Sequence, residues 1–351
     1  MLYKLFKYYL SKVDPEIAHK IAIKFIKSPL ASIGVSSNKK YKNLNQTILN
    51  MKFENPVGLA AGFDKNAEIY NNIHKLGFGF SEVGTITPEP QDGNLKPRVF
   101  RLNEDKAIIN RLGFPNHGMK IIRKRIQNKK PNGICGINIG PNKKNATIID
   151  DYLLCFNNFF DLAAYITINI SSPNTPNLRE QHEESKIIKL IDSVKKIREE
   201  KNSKVPIFFK ISPDISDVEI NNLSAIFLEK NIDGLILTNT TIKNKNKLLS
   251  KYKEESGGLS GLPLNDYSNI AIQKFYKKLG DKVPIIGAGG INNGKSAFDK
   301  IKSGASLLQL YTSLVYEGPY VANKINKELS NIIEKNGYRN ISEIIGLDCK
   351  W

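Results

Sequence analysis

Eight short runs of apolar residues, rich in β-branched side chains and separated by segments of helical periodicity, restrict this chain to very few folds. The runs cover 57–62, 80–85, 134–139, 165–170, 207–211, 234–238, 284–287 and 307–311. Each is short enough for a strand and apolar enough to be buried on both faces, the pattern of a parallel sheet covered by helices. Helical patterns such as 187–197 and 218–228 lie between them, and Gly77, Gly304 and Gly318 stand where helices would stop. Eight strands in βα alternation predict an α/β fold of the (β/α)₈ TIM-barrel type, with a doubly wound open sheet as the competitor.

In such a barrel, chemistry collects at the carboxyl ends of the strands, so the residues that close each run matter most. The first run ends in Ala61-Gly62-Phe63-Asp64-Lys65, the second in Thr85, and the third carries Asn138. The fourth carries Asn169 and runs on into Ser171-Ser172-Pro173-Asn174-Thr175, where two prolines, Pro173 and Pro176, forbid a continued strand. That segment reads either as an ordinary polar loop or as a rim of neutral donors and acceptors suited to a polar heterocycle, with a hydroxyl at Ser172. The fifth run holds Lys210, the sixth gives Thr238-Asn239-Thr240, the seventh Gly289-Gly290 and the eighth Tyr311-Thr312.

Gly287-Ala288-Gly289-Gly290 lets backbone amides approach a ligand, and Asn293-Gly294 then opens a helix whose N-terminus favours an anion; a tight βα turn is the plainer reading. Together with Tyr311-Thr312 the turn predicts a phosphate site. Lys210 is a lone cation in an apolar strand, and burying an ammonium is costly unless an anion meets it or its head snorkels to water. Lys65 either pairs with Asp64 or holds a substrate's acid group. Asn138 and Asn169 sit within strands, where asparagine is disfavoured, and so require hydrogen-bonding partners.

Residues 1–34 form an appendage before the barrel domain of 35–351. Leu2, Leu5, Phe6, Tyr9, Leu10 and Val13 share one helical face, and Asp14-Pro15-Glu16 reads as the start of a second helix with Ile17, Ile21, Ala22, Phe25 and Ile26 as its apolar side. The pair either lies in a bilayer interface or packs on the main domain. No membrane span or signal peptide is predicted. Two connections, 88–133 with a hairpin around Arg98 to Ile109 and 241–264 with Gly257-Gly258-Leu259-Ser260-Gly261, are too long for plain crossovers and are expected to cover the barrel mouth.

The net charge of +18 over 351 residues invites a nucleic-acid reading, yet lysines are dispersed beside asparagines, as in Lys243-Asn244-Lys245-Asn246-Lys247, so no shaped binding stripe is predicted. Cys135, Cys155 and Cys349 show no metal spacing, and His19, His74, His117 and His182 are scattered, so neither a disulfide framework nor a metal is expected.

Taken in order, Ala60-Ala61-Gly62-Phe63-Asp64-Lys65, Gly84-Thr85-Ile86-Thr87-Pro88, Asn110-Arg111-Leu112-Gly113-Phe114, Asn169-Ile170-Ser171-Ser172-Pro173-Asn174-Thr175, Thr238-Asn239-Thr240-Thr241 and Gly257-Gly258-Leu259-Ser260-Gly261 resemble the dihydroorotate dehydrogenases, in particular their class 2, quinone-dependent, membrane-associated branch. The resemblance runs from the first helix to Ile341-Ser342-Glu343-Ile344-Ile345-Gly346. It implies FMN in the barrel, oxidation of dihydroorotate to orotate in pyrimidine biosynthesis, and a quinone as acceptor. It places Ala61, Gly62, Phe63, Asp64, Lys65, Thr85, Asn138, Asn169, Lys210, Thr238, Gly261, Gly290, Tyr311 and Thr312 at the cofactor. It places Lys65, Asn110, Arg111, Leu112, Gly113, Phe114, Asn169, Asn174, Asn239 and Thr240 around the pyrimidine.

By the same resemblance Ser172 is the base, where class 1 relatives carry cysteine, and the amino-terminal helices frame a quinone tunnel. A relay through Thr175 or water, shielded by Phe114, would make the serine hydroxyl basic enough. Pro141 and Leu262 depart from the family pattern, which often has basic residues there; Lys143 and the backbone are the expected compensation. The resemblance further implies a monomer without nucleic-acid partners, peripheral on the cytoplasmic side of the inner membrane. A soluble class 1 enzyme using fumarate or NAD, a non-redox phosphate-binding barrel such as an aldolase or isomerase, and a basic nucleic-acid module are the rival readings.

Overall fold

The structure is a computed structural model that describes residues 10, 12–29, 40–143, 148–171 and 183–349. A hairpin of β1 (Gln46–Ile48) and β2 (Met51–Phe53) precedes β3 (Val57–Asp64) and β4 (Phe80–Ile86). A second hairpin, β5 (Val99–Leu102) and β6 (Ala107–Asn110), is followed by β7 (Ile134–Ile139), β8 (Tyr165–Asn169), β9 (Ile207–Ile211) and β10 (Gly234–Leu237). Then come β11 (Gly258–Gly261), β12 (Ile285–Ala288) and β13 (Leu307–Leu310). The helices are α1 (Pro15–Lys27), α2 (Gly118–Asn128), α3 (Ile148–Phe159), α4 (Glu184–Glu200), α5 (Asp217–Glu229), α6 (Asn265–Leu279), α7 (Gly294–Lys302), α8 (Thr312–Glu317) and α9 (Val321–Lys335).

Eight strands close into a barrel in the order β3-β4-β7-β8-β9-β10-β12-β13. Each expected run supplies one of them. Closure comes from β13 pairing in parallel with β3, Leu308 opposite Val57 and Leu310 opposite Leu59, which excludes the open sheet. Strands buried on both faces need apolar side chains on both, and β4, β8, β9 and β13 are buried at every position. At the amino-terminal end, Phe53 of β2 meets Phe80 edge to face with centroids 5.3 Å apart, and Tyr165, Phe208, Ile236 and Leu307 complete a floor. The β1–β2 hairpin was not expected, because two three-residue strands carry too little pattern to read.

The two long connections meet over the other end. The expected hairpin forms from β5 and β6, and β11 adds to β6 with Gly258 opposite Asn110 and Gly261 opposite Ala107. A strand at Gly258–Gly261 runs against the poor β-propensity of glycine, and pairing with the free edge of β6 on one side and a bridge from Leu259 to Thr241 on the other make it one.

Helix α1 starts as expected, with Asp14 accepting from the amides of Glu16 and Ile17 at 3.0 Å each. Its inner face differs from the expected stripe. Ala18, Ile23 and Ile26 are buried, while Ile17 and Ile21 are 52% and 36% exposed. The helix is apolar around more than one face, so periodicity alone could not tell which stripe docks. Leu2, Leu5, Phe6 and Tyr9 lie outside the described residues. Among the described residues no helix is long and apolar enough to cross a membrane. Cys135 and Cys155 are buried in the core as small apolar side chains.

Candidate functional site

The carboxyl ends of the strands surround a cavity of about 190 Å³, roofed by β6 and β11. Of the expected site residues, Ala61, Gly62, Lys65, Thr85, Asn110, Leu112, Gly113, Phe114, Asn169, Lys210, Thr238, Asn239, Thr240, Gly261, Gly290, Tyr311 and Thr312 all line it. Ser172, Asn174 and Thr175 lie outside the described residues. Four others are placed elsewhere. Asp64 turns its carboxylate onto the amides of Glu68 and Ile69, at 2.7 and 2.8 Å, and so shapes the turn after β3. Arg111 points into the roof, where it pairs with Glu255 at 2.8 Å and lies over the Phe100 ring at 4.7 Å. Phe63 lines a second cavity, described below, and Asn138 lies one layer beneath the first.

That lower layer centres on Glu82, which the sequence reading passed over. It is fully buried and accepts from Asn138 Nδ2 at 2.8 Å, Gln309 Nε2 at 2.8 Å, Tyr165 Oη at 3.0 Å and Thr167 Oγ1 at 3.1 Å. A carboxylate inside a barrel must be satisfied in this way, since buried oxygens left without donors are costly. Above it, Thr85 donates to Asn138 Oδ1 at 2.6 Å, and Asn169 Nδ2 reaches Thr85 Oγ1 at 3.2 Å and Asn138 Oδ1 at 3.3 Å. The strand asparagines are thus each other's partners. An acid within the otherwise apolar run 80–85, set against the lone Lys210, was the available signal.

Three cations line the cavity, and Lys106 among them is half exposed and pairs with Glu317 at 3.7 Å. Lys210 is buried and its pKa is lowered by that burial, with the charge of Glu82 pulling it back up. Lys65 is held down at about 8 by burial, with Glu16 raising it and Arg98 lowering it further. Neither has a hydrogen-bond or ion-pair partner among the described residues, and an anion in the cavity could pair with either. Lys143 does not help, because its Nζ donates to Asn94 Oδ1 at 2.8 Å in the loop.

At the far end, Gly289 and Gly290 have φ of +119° and +75°, and a Cβ on Gly290 would lie 2.4 Å from Asn265 Cα. The turn is therefore bare backbone, followed at Asn293 by the capped start of α7. Ser260 and Thr312 join roof to strand end by a hydroxyl contact of 2.8 Å. Thr238 Oγ1 and Gln309 Oε1 are buried on residues lining this cavity and have no partner among the described residues. Buried polar atoms are normally paired. A flat heterocycle with N–H and C=O groups on its rim, bearing an anionic tail toward the glycine turn, fits that set.

A second cavity of about 310 Å³ lies between α1 and the first, bounded by Leu10, Ala18, Ala22, Phe25 and Ile26 on one side and by Leu314, Val315 and Pro319 on another. Val99, Ile108, Tyr311 and Tyr316 line both cavities, so the two share a wall. Phe63 packs edge to face on Tyr311 at 5.5 Å and on His19 at 4.9 Å. Burial holds the His19 pKa well below its usual value, with Lys65 pushing the same way, so its ring is neutral. Arg101 donates to the carbonyls of Leu10 and Val13 and closes the end of this space.

The family model described as dihydroorotate dehydrogenase matches residues 43–333. The protein named dihydroorotate dehydrogenase (quinone) from Bartonella tribocorum is 44% identical over 340 residues, 95% of this chain and 93% of its own length. Its namesake from Bartonella henselae is 46% identical over 338 residues, 95% of this chain and 92% of its own. Among solved structures, DHODH of Eimeria tenella in complex with ferulenol superposes with a TM-score of 0.92 at 37% identity, covering 98% of this chain and 99% of that one.

Proposed function

The chain belongs to the dihydroorotate dehydrogenase family, and from that premise we infer that it oxidises dihydroorotate to orotate in pyrimidine biosynthesis and passes the electrons to a quinone. The family is flavin-dependent, and we take the cofactor to be FMN. Held by Lys210, Thr238 and the Gly289-Gly290 turn, that cofactor would supply the two-electron redox chemistry that links dihydroorotate to the quinone.

Support for FMN comes from the cavity itself. Its unpartnered Thr238 Oγ1 and Gln309 Oε1 suit a ring edge, Lys210 suits the negative charge of a reduced ring, and the bare turn at Gly289-Gly290 with Gly261, Tyr311 and Thr312 suits a terminal phosphate. Thr85 and Asn169, held in place by Asn138, would meet the ring from below. On the substrate side, Lys65 would meet the carboxylate, and Asn110, Asn169, Asn174 and Asn239 would pair with the alternating N–H and C=O groups of the pyrimidine. We assign to Ser172 the removal of the C5 proton, with Thr175 or a water as relay and Phe114 excluding solvent.

The second cavity supports quinone as acceptor, since it is mainly apolar, meets the first at Tyr311, and is walled by α1. The exposed Ile17 and Ile21 of α1, with the net charge of +18, support peripheral binding to an anionic bilayer, which we place at the cytoplasmic face of the inner membrane.

The observation that carries this reading is the wall shared at Tyr311 by two cavities, one edged by Lys65, Lys210 and the asparagines of the strand ends, the other walled by the apolar side chains of α1. Purified protein should be yellow, bleach anaerobically with dihydroorotate, recolour with a ubiquinone or menaquinone analogue, and sediment with anionic vesicles. Ser172→Ala should stay yellow and bleach at least a hundredfold more slowly. A colourless protein that takes up no FMN, or a Ser172→Ala variant that bleaches normally, refutes the cofactor or the base respectively.

A further inference from the structure

Lys300 of α7 is 0% exposed, outside both cavities, and the chemistry above does not use it. Its stem passes under Gly287, where an added Cβ would lie 2.9 Å from both Lys300 Cγ and Cδ. Its Nζ donates to Ser268 Oγ at 3.0 Å and Asn269 Oδ1 at 2.6 Å, both neutral. Among the described residues no carboxylate pairs with it directly. The two acids whose charges reach it are engaged elsewhere, Asp299 with Lys295 at 2.5 Å and Asp266 with Asn265 Nδ2 at 3.1 Å. Burial accordingly draws its pKa down to about 7. A buried ammonium with only neutral partners is costly, and a methionine would fill the same space without that cost.

Ser268 carries the contact onward, because its Oγ donates to the Ala288 carbonyl at 2.7 Å. The same carbonyl accepts the Thr238 amide at 2.9 Å, so one oxygen ties Lys300 to two strand ends of the cavity. The next residues are Gly289, whose missing Cβ would be 3.1 Å from Ser268 Cβ, and Gly290. The cavity side of this turn offers backbone amides and the hydroxyls of Ser260 and Thr312, and the lysine nearest Gly261 and Leu262, Lys106, is 53% exposed and paired with Glu317 at 3.7 Å. A dianion bound there would find its buried positive charge behind the turn.

We propose that Lys300 is a positioning residue for the cofactor's terminal phosphate, a buried cation packed on the back of the Ala288-Gly289-Gly290 turn that favours a dianion on its front. The proposal rests on the FMN reading. Its test compares FMN with riboflavin, which has the same ring and no phosphate, by fluorescence titration of the flavin-free full-length protein. Wild type should prefer FMN, and Lys300→Met should cut that preference about tenfold with riboflavin affinity unchanged. Lys300→Gln keeps a donor for Ser268 and Asn269, removes only the charge, and reads the same ratio should Lys300→Met fail to fold. An unchanged ratio, or equal loss for both flavins, overturns the role of Lys300. Wild-type protein that binds neither flavin overturns the cofactor reading instead.

Discussion

Asn138 donates its side-chain N–H to Glu82 across 2.8 Å, and that contact sets the direction of the side-chain amides between the barrel core and the cavity. Glu82 accepts from all four of its partners, so the Asn138 nitrogen faces it and the Asn138 oxygen faces up. That oxygen takes Thr85 Oγ1 and Asn169 Nδ2, which forces Asn169 Oδ1 toward Ser171 and Asn239. Asn239 in turn donates to Ser171 Oγ at 3.0 Å. The donor and acceptor pattern offered to a ligand is thus written from below by a residue that does not touch it.

Replacing Glu82 should therefore damage binding as well as stability. Glu82→Leu strands four buried donors at about 1–3 kcal/mol each before relaxation, enough to lower the melting temperature strongly, and should weaken orotate binding at least tenfold. Glu82→Gln should cost only a few-fold, because the unpartnered Gln309 Oε1 can rotate to accept the new amide. Orotate titration against flavin absorbance, with thermal unfolding in parallel, measures both. Unaltered orotate affinity in a folded Glu82→Leu protein would remove Glu82 from this role.

Lys65 gives the site a pH dependence whose sign is fixed. Its pKa is lowered from the ordinary lysine value to about 8, so the free protein carries the charge below that pH and loses it above. A substrate carboxylate needs the charge, so kcat/KM for dihydroorotate should fall up to tenfold per unit as pH rises past about 8. The bound carboxylate raises the lysine's pKa by linkage, so kcat should hold to higher pH. Lys65→Met should raise KM tenfold or more and flatten the fall in kcat/KM between pH 7 and 9. A variant that keeps the wild-type profile would assign the titration to another group.

The barrel was legible because each of its strands is a short apolar run, and a run buried on both faces has no amphipathic alternative to confuse it. The rim residues were legible for the same reason, since any polar residue closing such a run is conspicuous. Glu82 escaped because its partners, Tyr165, Thr167, Asn138 and Gln309, come from three other strands and meet only once the barrel closes. Arg111 and Asp64 were read toward the cavity because a motif fixes a position in the chain, whereas the direction of a long or turn-capping side chain is set by what it finds nearby. In α1 the apolar surface exceeds one stripe, so the residues read as a single apolar side divide, with Ile26 buried on the barrel and Ile17 and Ile21 exposed.

Helix α1 is tied to the barrel roof through Glu16, whose carboxylate receives Arg98 Nη2 at 2.8 Å and Nε at 3.1 and 3.2 Å. The pair is 8% exposed on the arginine and 20% on the glutamate, between surface and interior, and its loss should cost about 2 kcal/mol of docking. Only one cavity depends on that docking. Ala18, Ala22, Phe25 and Ile26 of α1 wall the second cavity, while none of them lines the first. Glu16→Ala should thus slow reoxidation by quinone roughly tenfold and leave anaerobic flavin reduction by dihydroorotate, at a pH well below that of the Lys65 titration, within about twofold of wild type. Stopped-flow measurement of the two half-reactions separates these outcomes. Equal slowing of both would mean that α1 braces the whole barrel mouth, and no slowing of either would mean that the acceptor enters elsewhere.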